Sequence, residues 1–138
     1  MIKRVFVDSD VMLDVALARQ PFVESSRLVL SILENGRAIG FASSNSITNI
    51  YYVLRKSGGD TKTRQFLAEL LKYITAVPTS HLDVLSALGL GFKDFEDGVQ
   101  YYSAKSNQCD YIVTRNVDDY KRSELEVFLP SEFARSYE

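Results

Sequence analysis

Lys3-Arg4-Val5-Phe6-Val7-Asp8-Ser9-Asp10 and Tyr111-Ile112-Val113-Thr114-Arg115-Asn116-Val117-Asp118-Asp119 share one design, a short apolar run that opens onto acids. Each run is β-branched or aromatic and too short for a helix, so each reads as a buried strand. A third acidic group, Asp94, Glu96 and Asp97, opens a predicted helix between them. Strands that deliver carboxylates to one edge of a parallel sheet bring like charges together. At an effective dielectric of ~20, two carboxylates ~5 Å apart repel by roughly 3 kcal/mol, so the cluster calls for a hard divalent cation or a proton.

Working outward, strands and helices alternate. Val11 to Ala18 is predicted helical until Gln20-Pro21, and Phe22 to Glu34 carries apolar residues at helical spacing until Asn35-Gly36. Ala38 to Ala42 reads as a strand. Ser43 to Lys56 reads as a helix ended by Gly58-Gly59, followed by a separate helix capped by Asp60. Ile74 to Val77 is a strand, and Ser80-x-x-Asp83 resembles a capping box for a helix over Val84 to Leu90. Asp94 to Lys105 is a helix, Tyr111 to Val113 and Glu126 to Leu129 are strands, and Pro130-Ser131-Glu132 opens a last helical turn. The alternation predicts an α/β fold, a three-layer domain around a central parallel sheet.

The chain has 138 residues, 46% of them hydrophobic, with no composition break or repeat, which fits one domain over residues 1–138. A net charge of −2 excludes a strongly basic arm, so nucleic-acid contact would use local basic patches. Cys109 is the single cysteine and reads as a buried core residue. No apolar run approaches a membrane span or a signal peptide, which leaves a cytoplasmic location as the expectation. His81 has no second His or Cys nearby to make a metal site. Of the pairs Tyr51-Tyr52 and Tyr101-Tyr102, one ring each is expected in the core.

Each acid alone has a structural explanation. Asp8 or Asp10 can cap the helix from Val11, and first-turn acids at Asp94, Glu96 and Asp97 favour the helix dipole by ~0.3–1 kcal/mol each. Three acids exceed what one cap requires, and the conjunction of the groups outweighs any member.

These residues resemble a known family. Phe6-Val7-Asp8-Ser9-Asp10-Val11-Met12-Leu13-Asp14 is similar to the opening of a PIN domain, commonly Asp-Thr-Asn-Val-x-x-Asp. Asp94-Phe95-Glu96-Asp97-Gly98-Val99-Gln100-Tyr101 is similar to the helix with its third acid, and Thr114-Arg115-Asn116-Val117-Asp118-Asp119-Tyr120 to its Thr-Arg-Asn-x-x-Asp-Phe. The resemblance implies a PIN-like α/β/α domain of the VapC kind, a Mg²⁺- or Mn²⁺-dependent endoribonuclease that hydrolyses RNA, acts as the toxin of a type II toxin–antitoxin pair, and commonly forms a homodimer. Asp8, Asp97 and Asp119 match its first, third and fourth acids as catalytic metal ligands. The second acid, usually Glu, falls at Asn49, while Asp10 stands where the family often has Asn and could restore the charge.

In that mechanism Asp8 and Asp97 hold the metal and Asp119 orients the attacking water, supported by Ser9, Asp10, Glu96, Thr114 and Asn116. Arg19, Arg55, Lys56 and Arg115 are the cations nearest in sequence for flanking phosphates. Two other readings remain. Asn49 motivates a catalytically silent PIN-like module that binds RNA or protein. Asp8-Ser9-Asp10 also fits the Asp-x-Asp start of a haloacid-dehalogenase-type phosphatase, although Met12 and the separation of Asp118-Asp119 from its strand depart from that pattern.

Overall fold

The computed structural model describes residues 1–89 and 91–138. β1 (Arg4–Val7) leads into α1 (Ser9–Ala16) and α2 (Val23–Glu34), and β2 (Ile39–Ser43) into α3 (Ser44–Leu70). β3 (Ile74–Val77) leads into α4 (His81–Ala87) and α5 (Phe95–Ser106); β4 (Tyr111–Val113) runs through a 3₁₀ turn (Val117–Tyr120) to β5 (Glu126–Phe128) and α6 (Pro130–Arg135). The strands pair in parallel in the order β3-β2-β1-β4-β5, the α/β arrangement that the alternating sequence implied.

Helices cover both faces of the sheet, which is why β1 reads as unbroken apolar sequence rather than an alternating one. Val5 and Val7 point into a core with Met12, Val29, Leu33, Ile50 and Phe133, from α1, α2, α3 and α6. Phe6 points the opposite way, into a second core with Phe41, Tyr101, Ala104 and Ile112 beneath α5. Cys109 belongs to this second core, where burial pushes its thiol up to about 12. Among the described residues no helix is long and apolar enough to cross a membrane.

The topology dictates where a site can form. From β1 the chain builds outward through β2 and β3, then returns across the sheet to place β4 on the other side of β1. This reversal opens a crevice at the carboxyl ends of β1 and β4. Val7 is in register with Val113, so Asp8 and Thr114 leave the sheet side by side, tied by a 3.0 Å bond from the Asp8 N–H to the Val113 carbonyl.

The two helices predicted on either side of Gly58-Gly59 both form and meet within α3 at a kink, where Gly59 is non-helical at φ 79° and ψ 171°. Bonds across the break hold the halves together: the Thr63 hydroxyl donates to the Gly59 carbonyl at 2.8 Å, and the Tyr51 hydroxyl donates to Asp60. α4 begins at His81, because the Ser80–Asp83 capping box closes immediately before it; Leu90, the expected end of that helix, lies outside the described residues. Asp118 and Asp119 lie in a 3₁₀ turn.

Gly59 has a backbone conformation that side chains avoid, while nothing lies within 4 Å of a Cβ built at either Gly58 or Gly59. Backbone strain alone therefore separates them. Gly59→Ala should cost about 1–3 kcal/mol, whereas Gly58→Ala, at a helical position, should gain about 0.5–1 kcal/mol. Urea unfolding of both variants checks the opposite signs.

Candidate active site

Asp8 occupies the position before α1 where a capping side chain would sit, yet it makes no cap bond. Its carboxylate, 4% exposed, turns across the carboxyl edge of the sheet instead. Oδ2 accepts from the Thr114 hydroxyl at 2.8 Å and the Tyr120 hydroxyl at 3.3 Å; Oδ1 accepts from Gln100 Nε2 at 3.2 Å and from Ser9 Oγ at 3.3 Å. Behind this lies a second shell of polar contacts, in which Gln100 Oε1 accepts from Ser46 Oγ at 3.2 Å and Ser46 meets Ser43 Oγ at 2.8 Å. A charge this buried is tolerable only with such a set of donors.

The acids of α5 divide the work between them. Asp94 is the cap, accepting from the Asp97 N–H at 3.1 Å, which leaves the Asp97 carboxyl free to face the sheet edge. Burial first, then the charges of Asp8, Asp94 and Asp119, push Asp97 up to about 7. Asp8 and Asp119, on two other elements, thus lie near enough to Asp97 to act on its charge. Glu96 is exposed and faces another way, into a cleft of ≈400 Å³ that it shares with Ser9, Asn49, Tyr52 and Lys56.

Asp10 completes the crowding. Its Oδ2 accepts from the Arg115 N–H at 3.2 Å, Asn116 Nδ2 at 3.2 Å and the Thr114 hydroxyl at 3.4 Å, while its Oδ1 is buried without a partner. Burial and the neighbouring Asp8 charge raise Asp10 to about 7. Asp10 thus sits on the Thr114–Asn116 side of the edge, and the carboxylate that shares a cleft with Asn49 is Glu96.

Two of the cations expected at substrate phosphates are committed elsewhere. Arg115 grips the fully buried Asp14 with Nε at 2.7 Å and a terminal nitrogen at 3.1 Å, stacks 4.0 Å over the Phe22 ring, and is joined on Asp14 by Arg19 at 3.8 Å. Arg55 lies 5.7 Å over the Tyr52 ring, and Lys56 alone of the four lines a cleft with Ser9 and Glu96. Sequence reasoning passed over Gln100 and Tyr120. The signal was present, since Gln100 stands three residues after Asp97, on the same helix face, and Tyr120 directly follows Asp119.

Among the described residues no group of three His, Cys, Asp or Glu side chains is arranged to hold a metal ion. The donors nevertheless fit Mg²⁺ or Mn²⁺. They are all oxygens, one buried carboxylate oxygen of Asp10 lacks a partner, and Mg²⁺ is ordinarily held by one or two carboxylates with several retained waters rather than by a full protein cage.

The raised acids fix a sign. A carboxyl raised from 3.8 to about 7 in the folded state lends stability at low pH that is lost as pH rises through 7, and both Asp10 and Asp97 behave so. Metal-free protein should melt higher at pH near 5 than near 8, and Asp97→Asn should flatten the difference. Thermal unfolding across that range checks it; a melting temperature that climbs towards pH 8 would contradict the shifts.

Comparison with known proteins places this geometry. Residues 4–118 match the PIN domain family. The chain is 29% identical over 140 residues to Ribonuclease VapC1 of Aquifex aeolicus, covering 98% of this chain and 96% of that protein. Among solved structures it is similar to a toxin–antitoxin complex from Klebsiella pneumoniae (TM-score 0.67, 17% identity, 91% of this chain and 97% of that one). It is also similar to VapBC2 from Rickettsia felis bound to a DNA fragment from its promoter (TM-score 0.66, 16% identity, 90% and 96%). With residues 4–118 of its 138 matched, the chain belongs to the PIN domain family.

Proposed function

We propose that this protein is a Mg²⁺- or Mn²⁺-dependent endoribonuclease, the toxin of a type II toxin–antitoxin pair, acting through Asp8, Asp97 and Asp119. The observation that carries the reading is the behaviour of Asp8: it abandons the cap position and lies buried among donors at the edge where Asp97 and Asp119 meet. The likeness to a named VapC ribonuclease over nearly the full chain supports RNA as substrate. The resemblance to toxin–antitoxin complexes supports an antitoxin partner.

In this reading Asp8 and Asp97 would hold the cation, and Asp119, on its short turn, would orient the attacking water. A bound divalent cation supplies charge neutralisation at the phosphodiester and makes the water more acidic. Thr114, Tyr120 and Gln100 fix the Asp8 carboxylate by hydrogen bonds, and burial holds the Tyr120 hydroxyl well above its usual range, so it remains a proton donor to Asp8. Asn116 and the Arg115 N–H hold Asp10 against the same edge. The exposed Leu82 and Leu85 on α4 and Leu88 just after it offer apolar surface to an antitoxin or a second copy.

A silent PIN-like binding module is the second reading, motivated by Asn49. An RNA cleavage assay with added Mg²⁺ or Mn²⁺ separates the two. We expect wild type to cleave and Asp8→Asn not to, with the melting temperature of Asp8→Asn preserved because the Thr114 and Tyr120 hydroxyls can turn to accept from the new amide. Asp8→Ala should in contrast lose about 1–3 kcal/mol by leaving buried donors unpaired. If Asp8→Asn cleaves like wild type, the site assignment is wrong.

Position 49 tests the ligand count. Asn49→Glu adds a charged oxygen ligand and should tighten Mn²⁺ binding by about 1–3 kcal/mol in calorimetry, with more cleavage at low metal. Unchanged affinity would place this residue outside the coordination sphere.

A further inference from the structure

We propose that the cleft beside Asp119 is the RNA backbone subsite on one side of the scissile bond, with Lys93, Lys121 and Arg122 as its phosphate ligands. This rests on the ribonuclease reading above. The cleft measures ≈490 Å³ and is lined by Phe92 and Lys93 from the segment before α5, and by Asp118, Asp119, Lys121 and Arg122 from the 3₁₀ turn and its continuation. It opens directly onto one of the three acids assigned to the chemistry.

Charge accounting sets six of the other cations aside. Arg115 and Arg19 are held by Asp14, and Arg27, Arg64, Lys72 and Lys105 pair with carboxylates. Lys93, Lys121 and Arg122 are exposed and, among the described residues, make no ion pair or side-chain hydrogen bond with a carboxylate. A cation already bound to a carboxylate must break that pair to meet a phosphate; these three need not. They also stand where they are needed most, because a polyanion approaching Asp8, Asp97, Asp118 and Asp119 is repelled unless positive charge flanks its path.

The cleft has a firm base. Phe92 packs 4.8 Å from the Tyr101 ring and 6.2 Å from the Tyr120 ring, which ties the segment with Lys93 to the turn with Lys121 and Arg122. Two separate stretches of chain thus hold their cations at one rim. Such contacts position a backbone and read no base, so the subsite serves any sequence of single-stranded RNA.

The test compares two triple variants: Lys93→Ala/Lys121→Ala/Arg122→Ala, and Lys3→Ala/Arg37→Ala/Lys72→Ala, which removes equal charge just before β1, β2 and β3 at the opposite edge. Binding of a short fluorescein-labelled single-stranded RNA is followed by anisotropy in Mg²⁺, with Asp8→Asn added to prevent cleavage, over a range of salt. The cleft variant should bind about tenfold more weakly or worse at ~0.1 M salt, and its slope of log K against log salt should fall by about 2, close to 0.7 for each of three phosphates. With Asp8 restored, its KM should rise far more than its kcat falls, and Mn²⁺ affinity should be unchanged by calorimetry. Loss of affinity and slope equal to that of the opposite-edge variant would overturn the subsite while leaving the ribonuclease reading intact. A wild type that neither binds nor cleaves RNA would overturn both.

Discussion

Burial of mutually repelling carboxylates at the carboxyl ends of β1 and β4 is the constraint around which the rest of this structure is arranged. Burial first, then the charge of neighbouring carboxylates, pushes Asp10 and Asp97 up to about 7, with Asp8 acting on both and Asp119 on Asp97. The fold tolerates this because donors surround the most buried member. Thr114, Tyr120, Gln100 and Ser9 converge on Asp8, and Asn116 and a backbone N–H on Asp10. Such a centre is stable enough to form and unfavourable enough to welcome a divalent cation.

The Asp14–Arg115 pair fixes the geometry of that centre from outside it. Arg115 bonds Asp14 with two nitrogens, and its own N–H donates to Asp10, so one residue ties α1 to the segment that follows β4. Removing one partner of so buried a pair costs about 3–5 kcal/mol in general, because the other charge is left without compensation. A cation with its fork on Asp14 is a poor phosphate ligand, and proximity in sequence to the acidic motifs was a weak guide to which cations remain available.

Much of this was legible in the sequence because it depends on short-range pattern. Strand length and helical spacing located β3 and α5 to within a residue or two, the Ser80–Asp83 box marked the start of α4, and parallel α/β order follows from strands that alternate with helices. The contact of Asp8 with Thr114 needed one further piece, the pairing of β1 with β4. Other features depend on long-range geometry and were invisible. Gln100 and Ser46 look like ordinary polar helix residues until α3 and α5 are brought together, and Lys93 meets Lys121 and Arg122 only through Phe92, Tyr101 and Tyr120. Gly58-Gly59 signalled a helix end correctly at Gly59, and the Tyr51 bond to Asp60 braces the two helices at the kink.

The convergence of the three acids on one cation is tested most directly by a crystal of the wild-type protein soaked in Mn²⁺ and measured for anomalous scattering. We expect a peak at the carboxyl edge of the sheet within ligand distance of Asp8 or Asp97, with Asp119 directly or through water in its coordination shell. A Mn²⁺ peak elsewhere, with this edge empty at saturating metal, would contradict it.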